Sequence, residues 1–284
     1  MTANRDAEAA TEEHVAPREA WDAIADGYDR YVAPQEVALA NEALALADLK
    51  AGELFLDVAA GTGGLSLPAA RLGARVLATD WSPAMIDRFE ACALAEGLID
   101  AEGRVMDCHA LDLGDDTFDV TGSQFGVMLV PEQPRALREM VRVTKPGGRV
   151  LVIGYGPPSE IEFLQFAVGA LQAVASDFAG LPEDDPPLEF QLSDPQVLRT
   201  RLMDAGLNDV RVVATAERPA FSSGQEMWDW VMNGNPIAGT LVADLTVEQR
   251  ATVRQVLDGM LRERSGDNGT AVLNNPVNIG IGTK

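Results

Sequence analysis

The feature that most constrains this chain is an apolar run that ends in a turn of small residues. Residues 53 to 64 read Glu-Leu-Phe-Leu-Asp-Val-Ala-Ala-Gly-Thr-Gly-Gly, and a helical pattern begins at about Leu65. This order predicts a buried strand, a glycine-rich turn and a helix. Glycines at the start of a helix let a ligand approach the backbone, because no Cβ stands in the way. The same glycines also serve helix–strand packing without a ligand, so this segment alone leaves both interpretations open.

A second apolar run, residues 74 to 80, ends in a carboxylate, Asp80. It follows Asp57 at roughly the 20-residue interval that is typical of a ribose-binding acid in a βαβ unit. Consecutive parallel strands of such a unit are neighbours, so we expect Asp80 beside the glycine-rich turn. A carboxylate there can accept two hydrogen bonds from a vicinal diol. The spacing therefore favours a nucleoside site.

Strands and helices continue to alternate as far as Tyr155. Residues 103–107, 116–124 and 149–155 are predicted strands, and helices are predicted from Ser82-Pro83 and over residues 137–143. The turn Lys145-Pro-Gly-Gly148 is expected to close the second of these helices. This alternation predicts a doubly wound α/β sheet with right-handed crossovers.

Beyond Gly156 the rhythm changes, which predicts helical segments inserted into the sheet. We expect a mobile tail over residues 1–16, a binding core with N-terminal helices over 17–156, a core helix and strand over 193–221, and a final core strand over 267–284. The segments 157–192 and 222–266 are predicted to be helical inserts that form a lid over the carboxyl edge of the sheet.

Composition limits the partners of the chain. With 284 residues, 46% hydrophobic and 23% charged, the chain is typical of a soluble globular protein. A formal net charge of -22 repels phosphate backbones and anionic lipid, so we expect neither nucleic acid nor a membrane as a partner, but a small-molecule substrate. Two cysteines without metal-type spacing predict no disulfide framework and no metal site. No targeting or membrane-spanning run is visible, so a cytoplasmic location is expected. The sequence does not indicate an oligomeric state.

A set of ordered motifs within residues 53 to 155 resembles the class I methyltransferases that use S-adenosylmethionine. The nearest subgroup is the ubiquinone/menaquinone-biosynthesis methyltransferase-like set. The motifs are Leu56-Asp-Val-Ala-Ala-Gly-Thr-Gly63, Thr79-Asp-Trp-Ser-Pro-Ala-Met-Ile86, Asp107-Cys-His-Ala-Leu-Asp-Leu113, Asp116-Thr-Phe-Asp119 and the segment Ala136 to Arg149. The resemblance implies a seven-stranded Rossmann-like sheet, with S-adenosyl-L-methionine as the cofactor. It does not cover the two predicted inserts.

The resemblance also implies roles for individual residues. Backbone and side-chain groups around the methionine half of the cofactor would come from Asp57, Ala59, Gly61 and Gly63. The nucleoside half would contact Asp80 at the ribose, Trp81 and Asp107 at the adenine, the backbone of Cys108, and Met85, which is equally a candidate for core packing. A dinucleotide fits less well, because the third glycine of its fingerprint would fall at Ser66.

Candidate catalytic residues follow from what methyl transfer requires. Much of the catalysis can come from holding the acceptor close to the methyl group in a dry pocket, and a base is needed only if the acceptor must lose a proton. His109 is a candidate base or simply a loop residue near the cofactor. Tyr155 and Gln124, at predicted strand ends, are candidates for orienting a hydroxyl or are plain polar strand ends.

Aromatic segments outside the motifs are candidates for the substrate pocket. Trp21, Ile24, Tyr28 and Tyr31 recur at helical spacing, which indicates either a helix packed on the core or a flap over the site. The other candidates lie in the second insert: Trp228, Trp230, Asn233 and Asn235. We expect methyl transfer to a small organic acceptor, with carbon or oxygen favoured. The alternatives are a cyclase or decarboxylase that uses the same cofactor, and a non-catalytic nucleoside-binding subunit.

Overall fold

The structure is a computed structural model and describes residues 16–175, 178, 180 and 187–284. The mobile tail predicted for residues 1–16 falls outside this range except for Ala16.

Two helices precede the sheet. Helix α1 (Arg18–Gly27) continues through a single π-helical turn (Tyr28–Val32) into helix α2 (Ala33–Leu46). Helix α2 buries one stripe of side chains, because residues three and four apart lie on the same helix face. That stripe consists of Glu36, Leu39, Ala40, Ala43 and Leu44.

The first half of the sheet follows the predicted alternation of strands and helices. Its elements are β1 (Leu54–Val58), α3 (Ser66–Arg71), β2 (Arg75–Asp80), α4 (Pro83–Glu96), β3 (Ala101–Val105), β4 (Phe118–Gln124), α5 (Gln133–Val143) and β5 (Thr144–Tyr155). Helix α5 ends at Val143, just before residues 145–148 as predicted, but these residues belong to β5 and do not form a separate turn. An irregularity in the β4–β5 register between Phe118 and Val120 accommodates the extra residues.

The second half of the chain adds further helices and closes the sheet. Its elements are α6 (Glu162–Val174), α7 (Pro195–Asp204), β6 (Asn208–Glu217), β7 (Ala220–Phe221), α8 (Gly224–Gly234), α9 (Ile237–Leu241), α10 (Val247–Ser265), β8 (Ala271–Val272) and β9 (Asn275–Thr283). The segment 267–284, predicted to hold a single final strand, therefore holds two strands. The short β8 pairs with β7, and only β9 enters the main sheet.

The main sheet has seven strands in the order β3-β2-β1-β4-β5-β9-β6. Strand β9 is antiparallel to both of its neighbours, β5 and β6, whereas the other pairings are parallel. The strand order reverses between β1 and β4, and ligands of open α/β sheets bind outside the carboxyl ends of strands at such a switch point. The predicted doubly wound α/β sheet is confirmed.

A second apolar cluster lies apart from the core of the sheet. Helices α6, α8 and α10, here called the helical layer, contribute Leu171, Trp230 and Leu257, and Val32 from the N-terminal π-turn joins them. The N-terminal segment thus packs against elements from the far end of the sequence. Within the described residues, each helix is too short or too polar to cross a membrane.

Candidate functional site

A cavity of about 420 Å³ has walls from the strand ends, the N-terminal segment and the helical layer. The strand ends contribute polar groups, and the helical layer contributes mainly apolar and aromatic side chains. Residues from the three walls include Asp57, Gly61, Asp80 and Gln124 from the sheet, Trp21, Tyr28 and Glu36 from the N-terminal segment, and Phe163, Trp228 and Trp230 from the helical layer. Enclosed, mostly apolar cavities with a few polar groups are typical of small-molecule sites.

The glycines of the first turn divide between the two functions that the sequence left open. Gly63, with φ +96°, serves packing, because a Cβ there would lie 2.5 Å from Phe89 Cδ2, and it does not line the cavity. Gly61, with φ +54°, does line the cavity, and the nearest atom to a Cβ there would be Tyr28 Cε1 at 3.9 Å. Gly61 therefore leaves bare backbone open to a ligand, whereas Gly63 lets helix α4 approach.

Two non-glycine residues with left-handed backbone conformation lie side by side at the switch point. Ala59 (φ 53°) follows β1 and Phe125 (φ 57°) follows β4. Their segments nearly touch, since a Cβ at Gly126 would lie 2.5 Å from Ala59 Cβ. Such conformations are uncommon for residues with a side chain and persist where the surroundings hold them, often at functional sites. Both loops are therefore fixed in shape next to the cavity.

Asp57 offers an unused hydrogen-bond acceptor. Its Oδ2 accepts from Ser66 Oγ at 2.6 Å, but Oδ1 is buried and has no partner among the described residues. Burial, together with the charge of Asp80, raises the pKa of Asp57 to about 7. The hydrogen bond from Ser66 offsets only part of this increase. A buried acceptor without a partner is costly, and a ligand donor would satisfy it.

Asp80 is held rigidly at the end of β2. Its Oδ2 accepts from the backbone N–H of Gly61 and its Oδ1 from that of Ser82, each at 2.9 Å. Burial raises the pKa of Asp80 against these hydrogen bonds. Each carboxylate oxygen has a further lone pair, so both remain able to accept from a diol. Ser82 Oγ in turn donates to Asp22 at 2.5 Å, which ties α1 to this end of β2.

The residues predicted to contact the nucleoside half come together on the cavity wall. Trp81 lines the cavity and is 41% exposed to solvent, whereas Met85 lines the cavity and is buried. Asp107 is exposed and accepts from the backbone N–H of His109 at 2.9 Å, and Cys108 is also part of the wall.

His109 is held by its loop through both ring nitrogens. Nδ1 lies 2.8 Å from Asp107 Oδ1, and Nε2 lies 2.5 Å from the carbonyl oxygen of Pro131. The arrangement favours a role in shaping the loop over that of a free base. Cys108 lies nearby, and burial raises the pKa of its thiol to about 12, which disfavours a thiolate ligand for a metal.

Glu36 is the main site residue that sequence reasoning missed. It is buried, lines the cavity, and accepts from Tyr28 Oη at 3.1 Å and from Gln124 Nε2 at 3.2 Å. Burial raises its pKa to about 7, and the hydrogen bonds from Gln124 and Tyr28 only partly offset that effect. The available signal was its spacing, because Glu36 is in register with the apolar stripe of α2 at Leu39 and Ala43.

A second buried carboxyl group lies behind the cavity wall. Glu217, at the end of β6, accepts from Asn275 Nδ2 at 3.0 Å and interacts with Tyr155. Burial and then the charge of Glu36 raise its pKa to about 8. Tyr155 lines the cavity and stacks on Phe125 with ring centroids 4.6 Å apart.

The predicted substrate-pocket residues divide into two groups. Tyr28 and Trp228 line the cavity, as do Trp230 and Asn235. Tyr31 and Asn233, also predicted, are not among the described residues of its wall. Arg30 lies over the Tyr31 ring, and the side chain of Asn233 packs against the backbone of Gly27 while donating to Asp229 O at 2.7 Å.

Comparisons with known proteins agree with the arrangement of the strands. Residues 56–152 match the family model described as a methyltransferase domain. An uncharacterised protein of Mycobacterium tuberculosis is 42% identical over 112 residues, which cover 39% of this chain and 40% of that protein. The chain therefore matches less than half the length of this relative.

A longer match is to a demethylmenaquinone methyltransferase of Mycobacterium bovis. It is 34% identical over 167 residues, covering 56% of this chain and 68% of the relative. Among solved structures, the YcgJ protein of Bacillus subtilis has the same fold, with a TM-score of 0.56 and 16% identity over 88% of this chain and 97% of that one. The predicted family is confirmed. The chain belongs to the class I S-adenosylmethionine-dependent methyltransferases and is similar to the quinone methyltransferases among them.

Proposed function

We propose that the protein transfers a methyl group from S-adenosylmethionine to a small, largely apolar organic acceptor, with carbon or oxygen as the favoured accepting atom. The observation that carries the proposal is the single cavity that joins Gly61 and Asp80 to the aromatic helical layer. One end is suited to a nucleoside and the other to an apolar molecule. A site with these two ends in one enclosed space can hold both molecules in contact.

The residues present fit the cofactor. A methionine tail needs open backbone and a free acceptor, which Gly61 and Asp57 Oδ1 offer among the described residues. A ribose diol needs a pair of acceptors, which the two carboxylate oxygens of Asp80 offer. Asp107 and Trp81 line the same cavity at positions suited to an adenine ring. When bound, S-adenosylmethionine would supply an electrophilic methyl group on a sulfonium.

The protein residues would contribute position and the exclusion of water. Phe163, Trp228 and Trp230 line the far end of the cavity, where an apolar acceptor would displace water at little cost. Trp230 lines this end of the cavity, and its Nε1 is buried with no partner among the described residues, so a hydroxyl or carbonyl oxygen of the acceptor that reached Nε1 would gain a hydrogen bond. We further propose that the described residues of segments 157–192 and 222–266 act as the lid of this pocket; residues 176–177, 179 and 181–186 of the first segment lie outside the described range.

The test is transfer of label from methyl-labelled S-adenosylmethionine to a panel of phenols, hydroxyquinones and catechols. Labelled product together with S-adenosylhomocysteine is expected. The proposal fails if the protein binds S-adenosylhomocysteine but releases none from the donor with any acceptor in the panel or in a metabolite extract. That result would favour the non-catalytic nucleoside-binding alternative. Consumption of the donor without methylated product would favour a cyclase or decarboxylase.

A further inference from the structure

Among the described residues, the cavity lining has more acidic than basic side chains, and His109 is its one basic residue. Its described lining residues include five acidic ones and no lysine or arginine: Glu36, Asp57, Asp80, Asp107 and Glu189. In the described part of the chain, no basic group lies close enough to Glu36 or Asp57 to lower its pKa. Buried carboxylates are ordinarily paired with a cation or a set of donors. The cavity is therefore suited to a positively charged group.

Glu36 and Gln124 are the part of the cavity wall where buried acceptors lie next to each other; this part is here called the corner. Gln124 is 9% exposed and Glu36 is 4% exposed. Gln124 Nε2 donates to Glu36, whereas Gln124 Oε1 is buried and has no partner in the part of the chain that the structure describes. Rotating the amide would set Oε1 against the carboxylate, so the observed orientation is the favourable one. Both residues line the cavity, and each carries an oxygen that can accept a hydrogen bond.

This corner lies against the glycine-rich turn. A Cβ at Gly64 would lie 3.0 Å from Glu36 Oε2 and 3.4 Å from Gln124 Nε2, so the carboxylate approaches the backbone that leads into α3. Tyr28, which donates to Glu36, and Tyr155 also line the cavity. Aromatic rings beside a carboxylate are a favourable setting for an organic cation.

We propose that Glu36, Gln124 and Tyr28 form a subsite for the ammonium group of a protonated amine. The ammonium donates to Glu36 and to Gln124 Oε1, and Tyr28 keeps the carboxylate in place. The group comes either from the methionine tail of the cofactor or from an acceptor that carries an amine. The inference rests on the proposed function for the choice of ligands.

Calorimetry on the full chain separates these two sources. S-adenosylhomocysteine carries the α-ammonium group, whereas 5′-methylthioadenosine lacks the whole amino-acid tail. If the cofactor supplies the ammonium, Glu36→Gln lowers the affinity for S-adenosylhomocysteine roughly tenfold or more. The affinity for 5′-methylthioadenosine stays within about twofold of the wild-type value. Glu42→Gln is the matched control, because Glu42 is exposed on the same helix. Gln124→Leu, which removes the amide acceptor, is expected to give the same selective loss.

If the acceptor supplies the ammonium, both nucleosides bind Glu36→Gln as they bind the wild type. Tyramine and its neutral counterpart tyrosol, added to protein saturated with S-adenosylhomocysteine, then decide the matter. Tyramine is expected to bind the wild type more tightly than tyrosol, and Glu36→Gln to remove that preference.

Two results would overturn the subsite. One is unchanged binding of all four probes to Glu36→Gln, and the other is an equal loss for every probe, which would indicate a structural role. If S-adenosylhomocysteine fails to bind the wild type, the proposed function falls first. The tyramine and tyrosol comparison on the protein alone then still tests the subsite.

Discussion

Gln124 Nε2 donates to Glu36 Oε2 at 3.2 Å, although 88 residues separate the two along the chain. One residue ends β4 and the other lies in the first turn of α2, so the contact fixes the N-terminal segment to the switch point of the sheet. Since both side chains are buried, the contact is shielded from water and from salt.

Replacing Tyr28 by Phe is expected to raise the pKa of Glu36 above its present value of about 7. The hydroxyl of Tyr28 is one of two donors that favour the charged carboxylate, and its loss leaves only Gln124. A carbon-detected NMR titration of the glutamate carboxyl groups measures the change. Tyr31→Phe is the control, because Tyr31 lies outside the cavity wall. An unchanged or lowered Glu36 pKa in Tyr28→Phe would contradict the assignment.

Replacing Asp80 by Asn is expected to lower the affinity for S-adenosylhomocysteine roughly tenfold to a hundredfold, since charge-assisted hydrogen bonds to the diol are lost. Asp80→Ala should cost more, because the backbone N–H groups of Gly61 and Ser82 also lose their acceptor. Calorimetry gives the affinity, and thermal melting separates binding from folding. Asp87→Asn, an exposed position on α4, is the control. Unchanged affinity in Asp80→Asn would place the ribose elsewhere.

Stability is expected to fall as the pH rises from about 5 to about 8. The pKa of Glu217 is raised from 4.5 to about 8, so the folded state holds a proton that the unfolded chain has lost. The stabilisation is therefore complete below pH 4.5 and disappears through pH 8. Denaturant unfolding at several pH values tests this. Glu217→Gln should flatten the profile over this window, and an equally steep profile in that variant would exclude Glu217 as the cause.

Replacing Gly27 by Ala is expected to lower the free energy of unfolding by about 1–3 kcal/mol, although alanine ordinarily favours a helix. A Cβ there would lie 1.8 Å from Asn233 Oδ1, where the N-terminal segment meets α8. Asn233→Ala removes the clashing atoms, so the double variant should recover most of the loss. Urea titrations of the wild type, both single variants and the double variant give the coupling energy. Additive single effects would show that the contact is not the cause.

The sheet was predictable because its signals are local. Apolar runs, glycines and the acids Asp57 and Asp80 lie within short segments whose order fixes which ends meet. Glu36 was missed because an acid in a first helical turn ordinarily faces solvent, where its negative charge interacts favourably with the positive end of the helix dipole. Its register with Leu39 and Ala43 was the one local signal, and the contact with Gln124 depends on how α2 packs against the switch point. Tyr31 and Asn233 were predicted by residue type, whereas a cavity wall depends on which side of a helix faces inward.

The position of β9 has a consequence for how the site is assembled during folding. Strand β6 joins the sheet only through β9, and α8, α9 and α10 lie in the chain between β6 and β9. The strands that carry Asp57 and Asp80 can pair while the remainder of the chain is still being synthesised. The aromatic end of the cavity must wait for a distant pairing, which carries a larger loop-closure entropy. The nucleoside end is therefore expected to form early, and the acceptor end only when the last strand enters the sheet.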